Sequence, residues 1–446
     1  LRNLTVIDDS EYLINQIPDT TFNINTIPIN DKKTYQLLSK GSGVGVFQCE
    51  SKGMRQLMKD MKPGVFEDLI ALLALYRPGP LGSGMVSDFI SNKLGETEVS
   101  YPLPELEPIL KETYGMIVYQ EQVMQIASTI AGFSLGQADM LRRAMGKKKK
   151  DVMDKLRVEF LDGAKERNIV VNKANDVFDL CYKFAEYGFN KSHSAAYAMI
   201  SFQTAFLKSN YTVEYMASLL SSVVNNSDKT ALYMQECNDL KVSVLPPDVN
   251  ESKHYFTVVP VTADSGETTK GIRFGLSAIK NVGDGAIESI EEHAPFKDIA
   301  DFCLRVDLKQ ANKRVMESLI KSGAMDSFGE RSYLLAIFET VMEKANITIR
   351  ERRNGQVSLF ADNQVGSGFS LNELSLEDYR VYSPSEKLKF EKEMLGLYIS
   401  GHPLDLIKDR LMAVKTPVTS FQASDTNKIV SVTGINHLQL PKIFDE

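Results

Sequence analysis

Apolar residues recur at three- and four-residue intervals along much of the chain. "FEDLIALLAL" (Phe66–Leu75), "EQVMQIASTIA" (Glu121–Ala131) and "AAYAMISFQTAFLKSNY" (Ala195–Tyr211) each carry one apolar stripe at helical spacing. The region from about Asp31 to Lys241 therefore reads as mostly helical. Ser192 or Ser194 is expected to cap the helix that holds the last of these stretches. Proline and glycine are expected to interrupt the helices at Arg77–Gly84 and at Tyr101–Pro108. Residues 1 to about 30 mix short apolar runs with turn residues.

The pattern changes at "VLPPDVN" (Val244–Asn250), which reads as a boundary. "HYFTVVPVTA" and "KGIRFGLSAI" follow as the arms of a short β-hairpin, and helices resume to about Arg350. Residues 351–370 are polar and rich in Gly, Asn and Gln, as in a linker. "KIVSVTGI" (Lys428–Ile435) alternates like a strand. No fixed-period repeat of solenoid type is visible.

Composition bounds the class without naming a function. The chain has 446 residues, 43% of them hydrophobic and 24% charged, and a formal net charge of -7. That is ordinary for a globular protein of two to four domains. The four cysteines and five histidines form no CxxC pair and no cluster with metal-ligand spacing, so a zinc site or disulfide framework is not expected. No apolar run is long enough to span a membrane. With no signal-peptide pattern and reduced thiols, a cytoplasmic protein is expected. The start at Leu1 and the end at "PKIFDE" read as cuts within a longer protein.

Three stretches carry candidate chemistry. "ADMLRRAMGKKKKD" (Ala138–Asp151) concentrates Arg142, Arg143 and Lys147 to Lys150 in an otherwise acidic chain. It reads equally as a solvated helix with an Asp139–Arg143 pair or as a clamp for a polyphosphate. "YGFNKSHSAAYA" (Tyr187–Ala198) sets Lys191, Ser192 and His193 at a helix start, where backbone N–H groups favour anions. Tyr187, Phe189 and Tyr197 either add flat surfaces on which a base can stack or, the simpler reading of the stretch by itself, are core aromatics of a capped helix. In "LYRPGPLGSGM" (Leu75–Met85), Pro78 biases Arg77 toward an extended backbone, as in a rigidly presented phosphate contact or in a plain helix-to-helix turn.

Taken together, "GVFQCESKGM", "ALYRPGPLGSGMV", "YGMIVYQEQVMQIA", "ADMLRRAMGKKK" and "YGFNKSHSAAYA" resemble consecutive motifs of bacterial DNA polymerase III alpha subunits, the C-family replicative polymerases. The resemblance continues through "GLSAIKNVGDGAIESI", "LIKSGAMDSFG" and "LGLYISGHPLD" and covers nearly the whole chain.

The resemblance implies a mainly α, multidomain fold. It comprises the end of a palm domain (1–30), a fingers domain (31–250), a clamp-binding domain with tandem helix-hairpin-helix motifs and a short β-hairpin (251–350), a connector (351–427) and the start of an OB fold (428–446). It implies that Arg142, Arg143, Lys147 and Lys148 contact the triphosphate of the incoming nucleotide. Lys191, Ser192, His193 and Tyr197 would join them, and Arg77 would meet DNA. In the hairpin, Asn281, Val282, Gly283 and Gly285 would present backbone N–H groups to a duplex phosphate, with Asn281 where many such hairpins have glycine. Gln356, Leu359 and Phe360 of "QVSLF" fit the Gln-x-x-Leu-Phe pattern that docks on a ring-shaped sliding clamp.

The family uses Mg2+ held by palm aspartates, and the motifs that supply them are not found here. Asp8 and Asp9 are read as helix-start residues rather than metal ligands. The resemblance therefore implies a parent DNA-directed DNA polymerase and a chain that binds nucleotide, primed DNA and clamp without polymerising. A proofreading exonuclease and a clamp loader would be further partners of the parent. Two neighbouring readings stay open, an error-prone translesion polymerase of the same family and a non-catalytic DNA-binding module.

Overall fold

The computed structural model describes residues 2–147, 150–185, 188–262, 266, 268–353 and 380–401. The chain folds as two compact units, residues 1–222 and residues 223–446.

The first unit is helical. It runs through α1 (Arg2–Asn15), α2 (Lys32–Ser39), α3 (Lys52–Met61), α4 (Phe66–Leu75), the short α5 (Pro78–Gly82) and α6 (Met85–Leu94). It continues through the single turn α7 (Glu107–Leu110), then α8 (Gln120–Ala131), α9 (Leu135–Lys147), α10 (Lys150–Glu166) and α11 (Val171–Ala185), and closes with α12 (Lys191–Asn210) and α13 (Thr212–Ser221). Two cores organise it. In one, α2, α3, α4 and α6 surround Phe202 and Ala205 of α12. In the other, α8 to α11 enclose Ile126, Leu141, Phe160 and Phe178. The helix α4 is buried on nearly every side, beyond the single stripe expected, because Leu69 to Leu75 are all apolar.

Three local expectations are corrected. Asn190, not Ser192 or Ser194, caps α12, because the helix already begins at Lys191 and the cap must precede it. The Asn190 side-chain oxygen accepts from the His193 N–H at 2.7 Å. Ser194 is instead buried and donates to the Ile70 carbonyl. Asp8 and Asp9 lie in the middle of α1, which starts at Arg2. Between Arg77 and Gly84 the chain does not simply break. Pro78 occupies the first position of α5, where its missing N–H costs nothing.

The second unit begins with α14 (Ser227–Asp239) and a small sheet. Strands β1 (Val244–Leu245), β2 (Thr257–Thr262) and β3 (Thr268–Arg273) lie in the order β1-β3-β2. The expected hairpin is β2 antiparallel to β3, with Val258 opposite Ile272. The additional strand β1 pairs parallel to β3 within the stretch read as a boundary. Helices α15 (Asp284–His293), α16 (Ile299–Arg305), α17 (Lys313–Ser322), α18 (Arg331–Arg353) and α19 (Pro384–Leu395) complete the unit. Buried Arg331 joins them: it pairs bidentately with Asp326 and reaches buried Glu391 of α19 at 3.2 Å. Residues 428–446, expected to start an OB fold, lie outside the described residues.

Candidate functional site

An open cleft of about 730 Å3 lies in the first unit, and it gathers side chains far apart in sequence. Arg77 enters from the end of α4. His193 and Tyr197 enter from the first turns of α12, with Phe189 just before them. The α12 residues are spaced four apart and so lie on one helix face.

Arg77 is held before any ligand arrives. Its backbone is extended (φ -148°, ψ 156°), as Pro78 dictates. Its Nε donates to the Ala74 carbonyl at 2.9 Å, and its guanidinium carbon sits 4.1 Å from the Phe189 ring centroid. Burial lowers its pKa from the ordinary arginine value, yet an arginine stays charged at neutral pH. The rings continue from Phe189 to His193 at 5.5 Å between centroids, on to Tyr197 at 4.6 Å, and from Tyr197 to Phe47 at 5.5 Å. This row offers flat surface for a nucleobase beside a fixed cation.

The row is tied to the start of α8. Phe189 and Tyr119 form a parallel β-bridge, in which the Gln120 N–H donates to the Phe189 carbonyl and the Phe189 N–H to that of Val118. Glu121 accepts from the Asn190 side-chain amide and from the Lys191 N–H, both at 2.9 Å. The Lys191 ammonium is paired with Glu112 at 2.7 Å. Ser192 is exposed on the first turn of α12.

The same junction reaches Arg142. Its Nη1 donates to the Gln120 side-chain oxygen at 3.0 Å, while Gln120 Nε2 donates to the Gly188 carbonyl at 3.1 Å. Arg142 and Arg143 share Asp139, each at 2.7 Å. The hydrogen bond from Arg142, joined by the charge of both arginines, holds the Asp139 carboxyl below the usual carboxylate range. Arg142 is the more shielded of the two, with 29% of its side chain exposed against 67% for Arg143. Lys147 ends α9, and Lys148 and Tyr187 lie outside the described residues.

Residues missed from sequence belong to this site. Gln48 lines the cleft, Phe47 extends the ring row, and Gln120 links Arg142 to Gly188. The first two sit in "GVFQCESKGM", where neither spacing nor residue type singles them out.

In the second unit, the hairpin before α15 has the expected form. Asn281 adopts a left-handed backbone (φ 69°), the conformation for which glycine is otherwise chosen, and its side-chain amide donates to Ser318 at 3.0 Å. Val282 is buried, and its N–H donates to the Ile279 carbonyl at 3.2 Å. Gly283 caps α15 with open space around it, and a side chain at Gly285 would collide with Gln310. Gln356, Leu359 and Phe360 lie outside the described residues.

The described residues do not fit a magnesium pair. Among the described residues no three His, Cys, Asp or Glu side chains gather as a metal site. Asp8 and Asp9 are consecutive on α1 and thus about 100° apart around the helix. Burial, joined by the charge of Asp8, raises the Asp9 pKa. No described helix is long and apolar enough to cross a membrane.

A finger domain followed by a helix-hairpin-helix domain is the class that fold and site define. Residues 3–168 match the bacterial DNA polymerase III alpha subunit finger domain, and residues 241–334 match the helix-hairpin-helix motif. The DNA polymerase III subunit alpha of Pseudomonas aeruginosa is 45% identical across 91% of this chain and 36% of its own length. Those of Borreliella burgdorferi (44%, across 98% of this chain and 37% of the relative) and Thermus aquaticus (46%, across 91% and 32%) are similarly related. The chain belongs to the family of bacterial DNA polymerase III alpha subunits, and it spans about a third of the length of the curated relatives it matches.

Proposed function

We propose that this chain supplies the nucleotide- and DNA-holding part of a replicative DNA-directed DNA polymerase that extends a primer with deoxynucleoside triphosphates. The observation that carries this reading is the meeting of Arg77, Phe189, His193 and Tyr197 in one cleft, with Arg142 joined to its edge through Gln120. Cations beside stacked rings suit a nucleotide, since guanidinium groups grip phosphate oxygens in pairs while rings take the base. On this reading Arg142 and Arg143 exchange Asp139 for triphosphate oxygens. The Asn281–Gly285 hairpin holds a duplex phosphate through backbone N–H groups other than that of Val282, which serves the Ile279 carbonyl.

The finer parts of the reading follow from the family. The sliding clamp docks on Gln356, Leu359 and Phe360, and the proofreading exonuclease and clamp loader are partners of the parent protein. On this reading the magnesium ions of nucleotidyl transfer are held by carboxylates of the parent protein, and this chain binds without polymerising. The test is nucleotide binding in the presence of primed DNA, read by equilibrium dialysis with the matching triphosphate. Replacing Arg142 and Arg143 together by Ala is expected to weaken binding at least ten-fold, on the order of one lost charge-assisted contact. Unchanged affinity in that variant would refute the clamp. Incorporation by the chain alone in a primer-extension assay would refute the division of labour.

A further inference from the structure

Gln48 lines the cleft from a loop whose construction is out of proportion to a connector. Its backbone is left-handed (φ 60°), a conformation that disfavours a side-chain-bearing residue about ten-fold or more. The same loop uses glycine where it turns left-handed at Gly41 and Gly45. Gly43 is glycine for space, because a Cβ there would lie 2.2 Å from the Cys49 carbonyl oxygen. The sequence thus places glycine wherever the loop needs it, yet keeps glutamine at the third left-handed position.

The loop is lashed into this shape by one face of α12 and by α13. The Phe47 N–H donates to Thr204 Oγ1 at 3.1 Å, and Ser201 Oγ donates to the Phe47 carbonyl at 2.9 Å. Buried Lys208 donates to the carbonyls of Ser42 and Val44 at 2.9 and 2.7 Å. Tyr215 donates to the Gly45 carbonyl, and the Gly45 N–H donates back to Glu50. Cys49, directly after Gln48, is fully buried. Both neighbours of Gln48 are therefore fixed while its own side chain stays exposed. Strain that surrounding structure over-determines is a mark of functional positions.

We infer that Gln48 is a specificity residue whose amide hydrogen-bonds to the edge of a nucleobase stacked on the His193–Tyr197 rings. The inference rests on the nucleotide-holding function proposed above and names the group that meets the base. A glutamine amide brings two donors and an acceptor in one plane, which suits a base edge. The base belongs either to the template strand or to the incoming nucleotide, and the two share this chemistry.

The experiment uses the chain with two fluorescent probes. One is primed DNA carrying 2-aminopurine at the templating position, and the other is the deoxynucleoside triphosphate of 2-aminopurine with unlabelled primed DNA. Stacking quenches either probe. Gln48→Gly relieves the strain, so Tm is expected to rise by about 2–4 °C. The same variant is expected to lose about ten-fold in affinity and most of the quenching for one probe. Gln48→Glu keeps the strain but removes the donors, so it should lose binding without the gain in Tm. Loss confined to the template probe assigns Gln48 to the template base, and loss confined to the triphosphate assigns it to the incoming base. Unchanged binding of both probes, with wild-type chain binding normally, overturns the inference and leaves the proposed function standing. Failure of the wild-type chain to bind either probe overturns both.

Discussion

Asp68 offers the most direct test of how the cleft is built. It sits in the first turn of α4, the helix that delivers Arg77 at its other end, and only 2% of its side chain is exposed. Its Oδ2 accepts from the N–H groups of Gly64 at 2.8 Å and Val65 at 3.2 Å, and faces the Lys93 ammonium at 3.2 Å. Its Oδ1 accepts from the Tyr114 hydroxyl at 2.8 Å, and burial together with this bond pushes the Tyr114 phenol above its ordinary range. Lys93 is itself 88% shielded, with 12% of its side chain exposed. In Asp68→Asn the amide oxygen can still take the two backbone donors, and the Tyr114 hydroxyl can turn to accept from the amide nitrogen. What is lost is the charge on these contacts, about 1 kcal/mol, and the counter-ion of a shielded ammonium, about 2 kcal/mol. The expected destabilisation is about 3 kcal/mol, measured by urea unfolding followed at 222 nm. Lys93→Met removes the stranded charge, so the double variant should lie about 2 kcal/mol above the sum of the singles. An Asp68→Asn variant within 0.5 kcal/mol of wild type on the order of ordinary surface changes, or additive singles, would refute the assignment of Asp68 as the carboxylate that locks α4.

Further predictions separate the remaining sites. Replacing Leu359 and Phe360 by Ala should abolish binding to the sliding clamp, read by surface plasmon resonance, since two apolar anchors are each worth about 2 kcal/mol or more at an interface centre; equal binding would make "QVSLF" accidental. Asn281→Gly should be nearly neutral and Asn281→Ala should cost about 1 kcal/mol, because only alanine meets the left-handed backbone with a Cβ and no amide for Ser318. Equal stability of the two variants would remove the hairpin argument. Burial pushes the thiols of Cys49, Cys181 and Cys303 up to about 12 from 9.0, so the unfolded chain loses these protons first as pH rises. Stability is therefore expected to be fully retained below about pH 9 and to fall between pH 9 and 12, measured by urea melts, with a flat profile counting against it.

How much of this was legible depended on how local each cause is. The buried α4, the β2–β3 hairpin and the extended Arg77 follow from periodicity, alternation and the proline after Arg77. All three causes act within a few residues. The α12 cap failed for a small reason, a helix start displaced to Lys191, and with it Ser194 moved from cap to core. Asp8 and Asp9 were misplaced in the same way, because α1 begins at Arg2. The cleft was only half legible. Its Arg77 and α12 residues stood out individually, but the contacts that unite them are long-range. Ser194 reaches Ile70 across 124 positions, and Lys191 reaches Glu112 across 79. No window of sequence contains both ends of such a bond. Gln48 was missed because nothing in its composition marks a left-handed backbone.

The basic residues near the cleft also explain why an acidic chain can carry them. Arg142 and Arg143 share Asp139, and Lys191 is matched by Glu112, so each cation already faces a carboxylate of the chain. On the proposed reading a ligand that takes the atoms now held by Asp139 gains only the difference between two charge-assisted contacts. A single monoanion gains little from that exchange. A triphosphate brings several anionic oxygens and can engage both arginines after one displacement, because one aspartate serves them both. Asp139 thus links the two guanidinium groups, and on the proposed reading the threshold it sets favours polyphosphate over isolated phosphate. The net charge of -7 is then no obstacle to phosphate binding, since what a ligand meets is the local arrangement of pairs and not the sum over the chain.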